Sequence, residues 1–343
     1  MSTPDGRGRD LAAGVLAGEV SAIARSITLV ERGDDRVPEL LAALYSSAGR
    51  AHVIGVTGPA GSGKSTLVAA LTATHRNRGR SVGIIAVDPS SSYTGGALLG
   101  DRIRMLGHSG DTAVFIRSMA TRGAIGGLAR AALDGVTILD AAGMDTVILE
   151  TVGVGQSEVD VMSVAQSVAV VSVPGLGDSV QALKAGLLEI ADVHVVNKSD
   201  REGSDRTVKE LLEMLRLHHR EAGQWNVPVL KTVAADGTGV AEFRDVLDEH
   251  RTWMQANGEL ARRDRRLTVA RVKWASADLA ARRLRAVPPK EFDAVVDRVL
   301  AREIDPLTAA GELHSDPPHA APVTAAPQSL IHPSELEEGR SRR

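Results

Sequence analysis

The stretch Gly58-Pro59-Ala60-Gly61-Ser62-Gly63-Lys64-Ser65 decides the fold, because it reads G-x-x-x-x-G-K-S between an apolar run at residues 52–57 and a helix-like run at residues 65–78. A phosphate-binding loop needs that context: a buried strand delivers the chain, glycines let it turn tightly, and a helix N-terminus follows. The turn aims backbone N–H groups at the β- and γ-phosphates of a nucleoside triphosphate. Lys64 adds a point charge, and the Ser65 hydroxyl suits the Mg2+ shell. Thr66, next in the helix, belongs with the nucleotide contacts. A glycine-rich turn without a ligand has no reason to satisfy four motif positions and both flanks together.

Outward from this loop, short β-branched runs alternate with helical stretches, at residues 52–57, 82–87, 113–116, 146–149, 167–173, 192–196 and 228–232. Apolar runs of that length that do not alternate, separated by helix-sized crossovers, predict an α/β fold with a doubly wound, mostly parallel sheet buried on both faces. Ligands of such sheets bind at the carboxyl ends of the strands. Before the loop, apolar positions at Leu11, Val15, Val20, Ile23, Ile27 and Val30 follow a helical spacing, and a second helix is expected over 37–47. Residues 1–50 thus read as an N-terminal helical extension, residues 51–257 as the nucleotide domain, and residues 258–313 as a C-terminal helical segment with a further helix over 290–304. The Pro-, Ala- and His-rich remainder, 314–343, reads as a disordered tail.

Composition narrows the function classes. The 343 residues carry 40 basic and 43 acidic side chains, a net charge of -3, which leaves no electrostatic footprint for nucleic acid. The basic cluster at residues 262–266 has acidic neighbours and no interleaved aromatics, so a solvated helix face explains it better. There is no cysteine, hence no disulfide and no thiolate metal site. No apolar run approaches the length that spans a bilayer, and the polar start is unlike a signal peptide. The expectation is a cytoplasmic protein without a membrane partner.

Three further constellations carry chemistry. Asn197-Lys198-Ser199-Asp200 directly follows the sixth apolar run, and a carboxylate at Asp200 can accept both the ring N–H and the exocyclic amino group of guanine, which adenine cannot satisfy. Asn197 and the stem of Lys198 would fix the base, and Ala234 falls where a third base contact is expected. Glu150 ends another run, where an acidic residue holds Mg2+ directly or through water, and Gly153 lets the following loop approach the γ-phosphate. Gln156 and Glu158 could position the attacking water or cap a helix. Asp88 and Asp101 are further Mg2+ candidates; a helix cap for Asp88 and an ion pair with Arg104 for Asp101 remain open.

The combination Val87-Asp-Pro-Ser-Ser91, Thr94-Gly-Gly-Ala-Leu-Leu-Gly-Asp-Arg102, Glu150-Thr-Val-Gly-Val-Gly-Gln-Ser-Glu158 and the run from Pro174 through Asp192 resembles the MeaB/ArgK group of P-loop GTPases. The likeness spans about residues 11–310. It implies a G domain that binds and hydrolyses GTP to GDP with Mg2+, a homodimer formed through the C-terminal helices, and a chaperone that associates with methylmalonyl-CoA mutase. In that role it would gate adenosylcobalamin delivery and protect the mutase from inactivation. It assigns Lys64, Asp88, Asp101 and Glu150 to phosphate and metal, Asn197, Lys198 and Asp200 to the base, and residues 175–184 to a loop that signals nucleotide state. The alternatives are a kinase linked to amino-acid transport and a nickel-insertion-type GTPase. No acceptor-directed base stands apart for the first, and only His218-His219 speaks for the second.

Overall fold

The computed structural model describes residues 6–88, 110–120, 127–151, 164–175, 190–217 and 223–314. Seven strands form the sheet: β1 (His52–Thr57), β2 (Val82–Asp88), β3 (Val114–Ala120), β4 (Thr146–Thr151), β5 (Ser167–Ser172), β6 (Val193–Asn197) and β7 (Val229–Thr232). They run in the order β3-β2-β4-β1-β5-β6-β7 and every neighbouring pair is parallel. The expected runs all became strands, and β3 extends four residues past its apolar core. The chain winds from β1 to β2 and β3 on one side, then to β5, β6 and β7 on the other. The loop after β1 therefore opens at the point where the winding changes direction, the place such sheets hold ligands.

Pleating divides each strand between two apolar layers. Val53, Val147, Leu149, Val168 and Val170 face a layer supplied by α1 (Gly6–Leu16), α2 (Val20–Arg32), α3 (Val37–Leu44), α5 (Gly127–Ala141) and α6 (Ser204–Leu217). Ile54, Val56, Ile148, Val171 and Val195 face the opposite layer, formed by α4 (Lys64–Arg76) and α7 (Val240–Ala256). The N-terminal helices are therefore part of one core face. Their periodicity hides a break: Gly18, at a left-handed φ of 74°, donates to Val15 O while Glu19 N–H donates to Gly14 O, closing α1 before α2 begins.

The amino end of the sheet holds a buried polar network. Asp140 accepts backbone N–H groups of Gly49, Arg50 and Ala51 at 2.5, 3.1 and 3.0 Å, which fixes the entry into β1 on α5. His52 Nε2 and His250 Nδ1 each lie 2.8 Å from Ser167 Oγ, and His250 Nε2 is 3.3 Å from Asp192 Oδ1. Arg263, from α8 (Glu259–Ala286), grips both oxygens of Asp192 at 2.6 and 2.7 Å. Burial pushes His250 and His75 down to about 4, and His52 well below its ordinary value.

Residues 1–274 form one compact unit and 275–343 a second. The described part of the second contains the end of α8, then α9 (Pro289–Leu300) and α10 (Pro306–His314), which Arg298 joins through Glu312 at 2.6 and 3.2 Å. The helix expected over 290–304 thus stops at Leu300, and α10 carries helix as far as His314, the first residue of the expected tail; residues 315–343 lie outside the described residues. Leu279, Phe292, Val296, Leu300 and Leu307 are exposed there. No helix among the described residues is long and apolar enough to cross a membrane.

Candidate functional site

The loop from Gly58 to Gly63 leaves β1 and enters α4 at Lys64. Its glycines are needed sterically. A Cβ on Gly58, whose φ is 145°, would sit 2.2 Å from Val171 O on β5, and one on Gly63, at φ 86°, 2.5 Å from Asn197 Nδ2. Only bare backbone lets the loop pass this close to both neighbouring strand ends. Inside the turn, the buried Lys64 ammonium donates to Gly58 O and Pro59 O at 2.8 and 3.0 Å. Pro59 is half-buried, Ala60 and Gly61 are exposed, Ser62 is buried, and Ser65 and Thr66 follow half-buried in the first turn of α4.

Glu150 arrives from β4, in register with Val56 of β1 and Ala86 of β2, and is 2 % exposed. The Ser65 hydroxyl donates to Glu150 Oε1 at 2.5 Å. This joins two of the predicted metal ligands although they are distant in sequence. Both supply hard oxygen, the donor type Mg2+ prefers, so the pair fits that ion. Asp88 is the last residue of β2, its backbone in register with Ala120 of β3, at the same carboxyl edge. Asp101, Gly153, Gln156, His218 and His219 lie outside the described residues, as do residues 176–184 of the loop expected to signal nucleotide state. Among the described residues, no group of three or more His, Asp or Glu side chains is arranged to hold a metal ion.

The predicted base site is fastened directly to the phosphate loop. Asn197 Nδ2 donates to Ser62 O at 2.8 Å and Lys198 Nζ donates to Gly61 O at 2.8 Å. Lys198 adopts a left-handed φ of 55° as the chain leaves β6, a conformation that turns its stem over the loop. Asp200 is exposed in the next turn. Ala234 N–H donates to Asn197 Oδ1 at 3.1 Å, so this backbone group holds the asparagine amide in the structure. Thr232 Oγ1 donates to the same oxygen at 3.2 Å. Thr232 is a positioning residue that the sequence reading missed, since a threonine ending a strand carries no signal of its own. Thr57 and Thr151, whose hydroxyls are 2.9 Å apart, likewise tie the ends of β1 and β4.

A family model described as methylmalonyl-CoA mutase-associated GTPase MeaB matches residues 23–288. A protein of Pyrococcus horikoshii that bears a GTPase name is 47% identical over 295 residues, covering 85% of this chain and 93% of that protein. The GTPase ArgK of Escherichia coli is 36% identical over 250 residues, 71% of this chain and 76% of its own length. Among solved structures, one titled LAO/AO transport system kinase aligns with a TM-score of 0.66 and 26% identity, covering 91% of this chain and 98% of that one.

Proposed function

The chain belongs to the family of methylmalonyl-CoA mutase-associated GTPases called MeaB, and from that premise we propose that it is a GTP-hydrolysing chaperone of an adenosylcobalamin-dependent acyl-CoA mutase. The client is methylmalonyl-CoA mutase or a related enzyme, and the nucleotide state gates cofactor delivery and protects the client from inactivation. The observation that carries the reading is the convergence of Lys64, Ser65 and Glu150 with Asn197 and Lys198 around one loop. That convergence supports phosphate chemistry and base recognition on a common scaffold.

In this account the loop N–H groups and Lys64 hold the phosphate oxygens and stabilise charge on the γ-phosphoryl group as water attacks in line. The new bond joins the water oxygen to the γ-phosphorus, the bond to the β,γ-bridging oxygen breaks, and the proton leaves on phosphate. Gln156 is assigned to orienting the water. Mg2+ would supply charge neutralisation between the phosphates, with Ser65, Glu150, Asp88 and Asp101 as its holders. Asp200 selects guanine, Asn197 and Lys198 brace the base, and Ala234 completes that pocket. Loss of the γ-phosphate releases the loop containing Gly153 and, through it, the contact with the mutase. The exposed apolar side chains of α8 to α10 support a homodimer through this segment, and the protein is assigned to the cytoplasm.

Pull-down with methylmalonyl-CoA mutase in GDP and in a non-hydrolysable GTP analogue tests the reading. Capture that differs between the two nucleotides is expected, and absence of capture in both would remove the mutase from the account. The solved kinase-titled structure motivates one competing reading, phosphoryl transfer to an acceptor. Complete recovery of the γ-phosphate as inorganic phosphate excludes it, while a labelled small-molecule product would replace hydrolysis with transfer.

A further inference from the structure

The N-terminal helices carry a groove that the nucleotide chemistry does not use. Its cavity is about 460 Å³ and its floor is Leu11 of α1 with Ala24 and Leu29 of α2. Arg25, Arg32 and Arg36 stand along its rim, all three exposed. Among the described residues no carboxylate lines the groove, and beside it Glu31 pairs with Arg117, Asp34 with Arg36, and Glu39 with Arg9. Arg25 and Arg32 form no ion pair among the described residues, so they set the sign of the groove.

The spacing of these charges selects the occupant. Arg25 and Arg32 lie two turns apart on α2, about 10 Å along its axis, with Leu29 between them. A single carboxylate or phosphate headgroup would need cations converging on one point, which this row does not offer. A helix that lays an apolar stripe on Leu11, Ala24 and Leu29 and flanks it with carboxylates two turns apart matches both the floor and the rim. We propose that the groove between α1 and α2 docks an acidic amphipathic helix of a partner protein.

The test uses the full chain and two synthetic helical peptides of about 18 residues with the same leucine stripe, one flanked by glutamates and one by lysines. Fluorescence anisotropy should show the glutamate peptide binding in preference, and weakening as salt rises. The R25E/R32E double variant should weaken it by about tenfold or more and gain the lysine peptide. A24W, which fills the floor and leaves the charge unchanged, should also weaken the glutamate peptide by about tenfold. GTP hydrolysis and the melting temperature should stay unchanged in both variants, which separates this surface from the nucleotide site. Equal binding of the two peptides, no effect of R25E/R32E, or full binding by A24W would overturn the proposal. A change in the sedimentation mass of R25E/R32E would overturn it too, by making the groove a contact between copies of this chain.

Discussion

The two ends of the sheet use similar residues to opposite effect. At the carboxyl end, Lys64, Lys198 and Asn197 point back at loop carbonyls, and Asp200 is exposed. At the amino end, Ser167, His250 and Asp192 line up in an order that on an open surface would suggest a nucleophile and its base. Yet Ser167 and His250 are 0% exposed, and the carboxylate is taken by Arg263. Chemistry needs access as well as residue type. The amino end is a brace, and the carboxyl end, where the strands release their loops, is the working surface.

The strongest way to break this contrast is Lys64→Ala. It should lower GTP hydrolysis by about 10³-fold with little change in stability, as read by phosphate release and a thermal melt. Acidification should act on the other end. His75 and His250 are held near 4 against an ordinary 6.5, so the unfolded chain takes up protons first as the pH falls. Their contribution is whole above pH 6.5 and is lost on the way to pH 4, on the order of 3 kcal/mol for each histidine. Denaturant titrations across that range read it, and stability that stays flat would mean these rings are not buried neutral.

Asp192→Asn leaves the Arg263 guanidinium in its site with only a neutral partner, and should cost ~3 kcal/mol of stability while leaving guanine preference intact. Unaltered denaturation would reduce the brace to a bystander. Asp200→Asn should do the reverse, moving preference from GTP to xanthosine triphosphate by about a hundredfold in competition binding, with the melt unchanged. The smallest effect belongs to Thr232→Val, which removes one of the donors holding Asn197 Oδ1. It should weaken GDP binding by about fivefold, ~1 kcal/mol, and an unchanged affinity would show that Ala234 N–H suffices.

The same contrast explains what could be read from the chain beforehand. The carboxyl end was legible because its chemistry is local: Gly58 to Ser65 and Asn197 to Asp200 are contiguous, each placed after a β-branched run. The mostly parallel sheet was legible for the same reason, since runs such as 146–149 or 192–196 tolerate burial on both faces and little else. The brace was not, because His52, Ser167, Asp192, His250 and Arg263 are scattered over more than two hundred positions and meet only once β1, β5 and β6 are in register. The break at Gly18 was also hidden, because α1 and α2 keep a common apolar phase across it. Strand order depends on which crossover packs where, which periodicity does not encode.

The central claim, that the carboxyl edge houses a GTP switch read by a mutase, is tested most directly by phosphate release from GTP and ATP with and without methylmalonyl-CoA mutase. The account predicts turnover of GTP in preference to ATP, a rise of about tenfold or more when the mutase is added, and loss of both in Lys64→Ala. Equal use of ATP, or a GTP rate indifferent to the mutase, would contradict it.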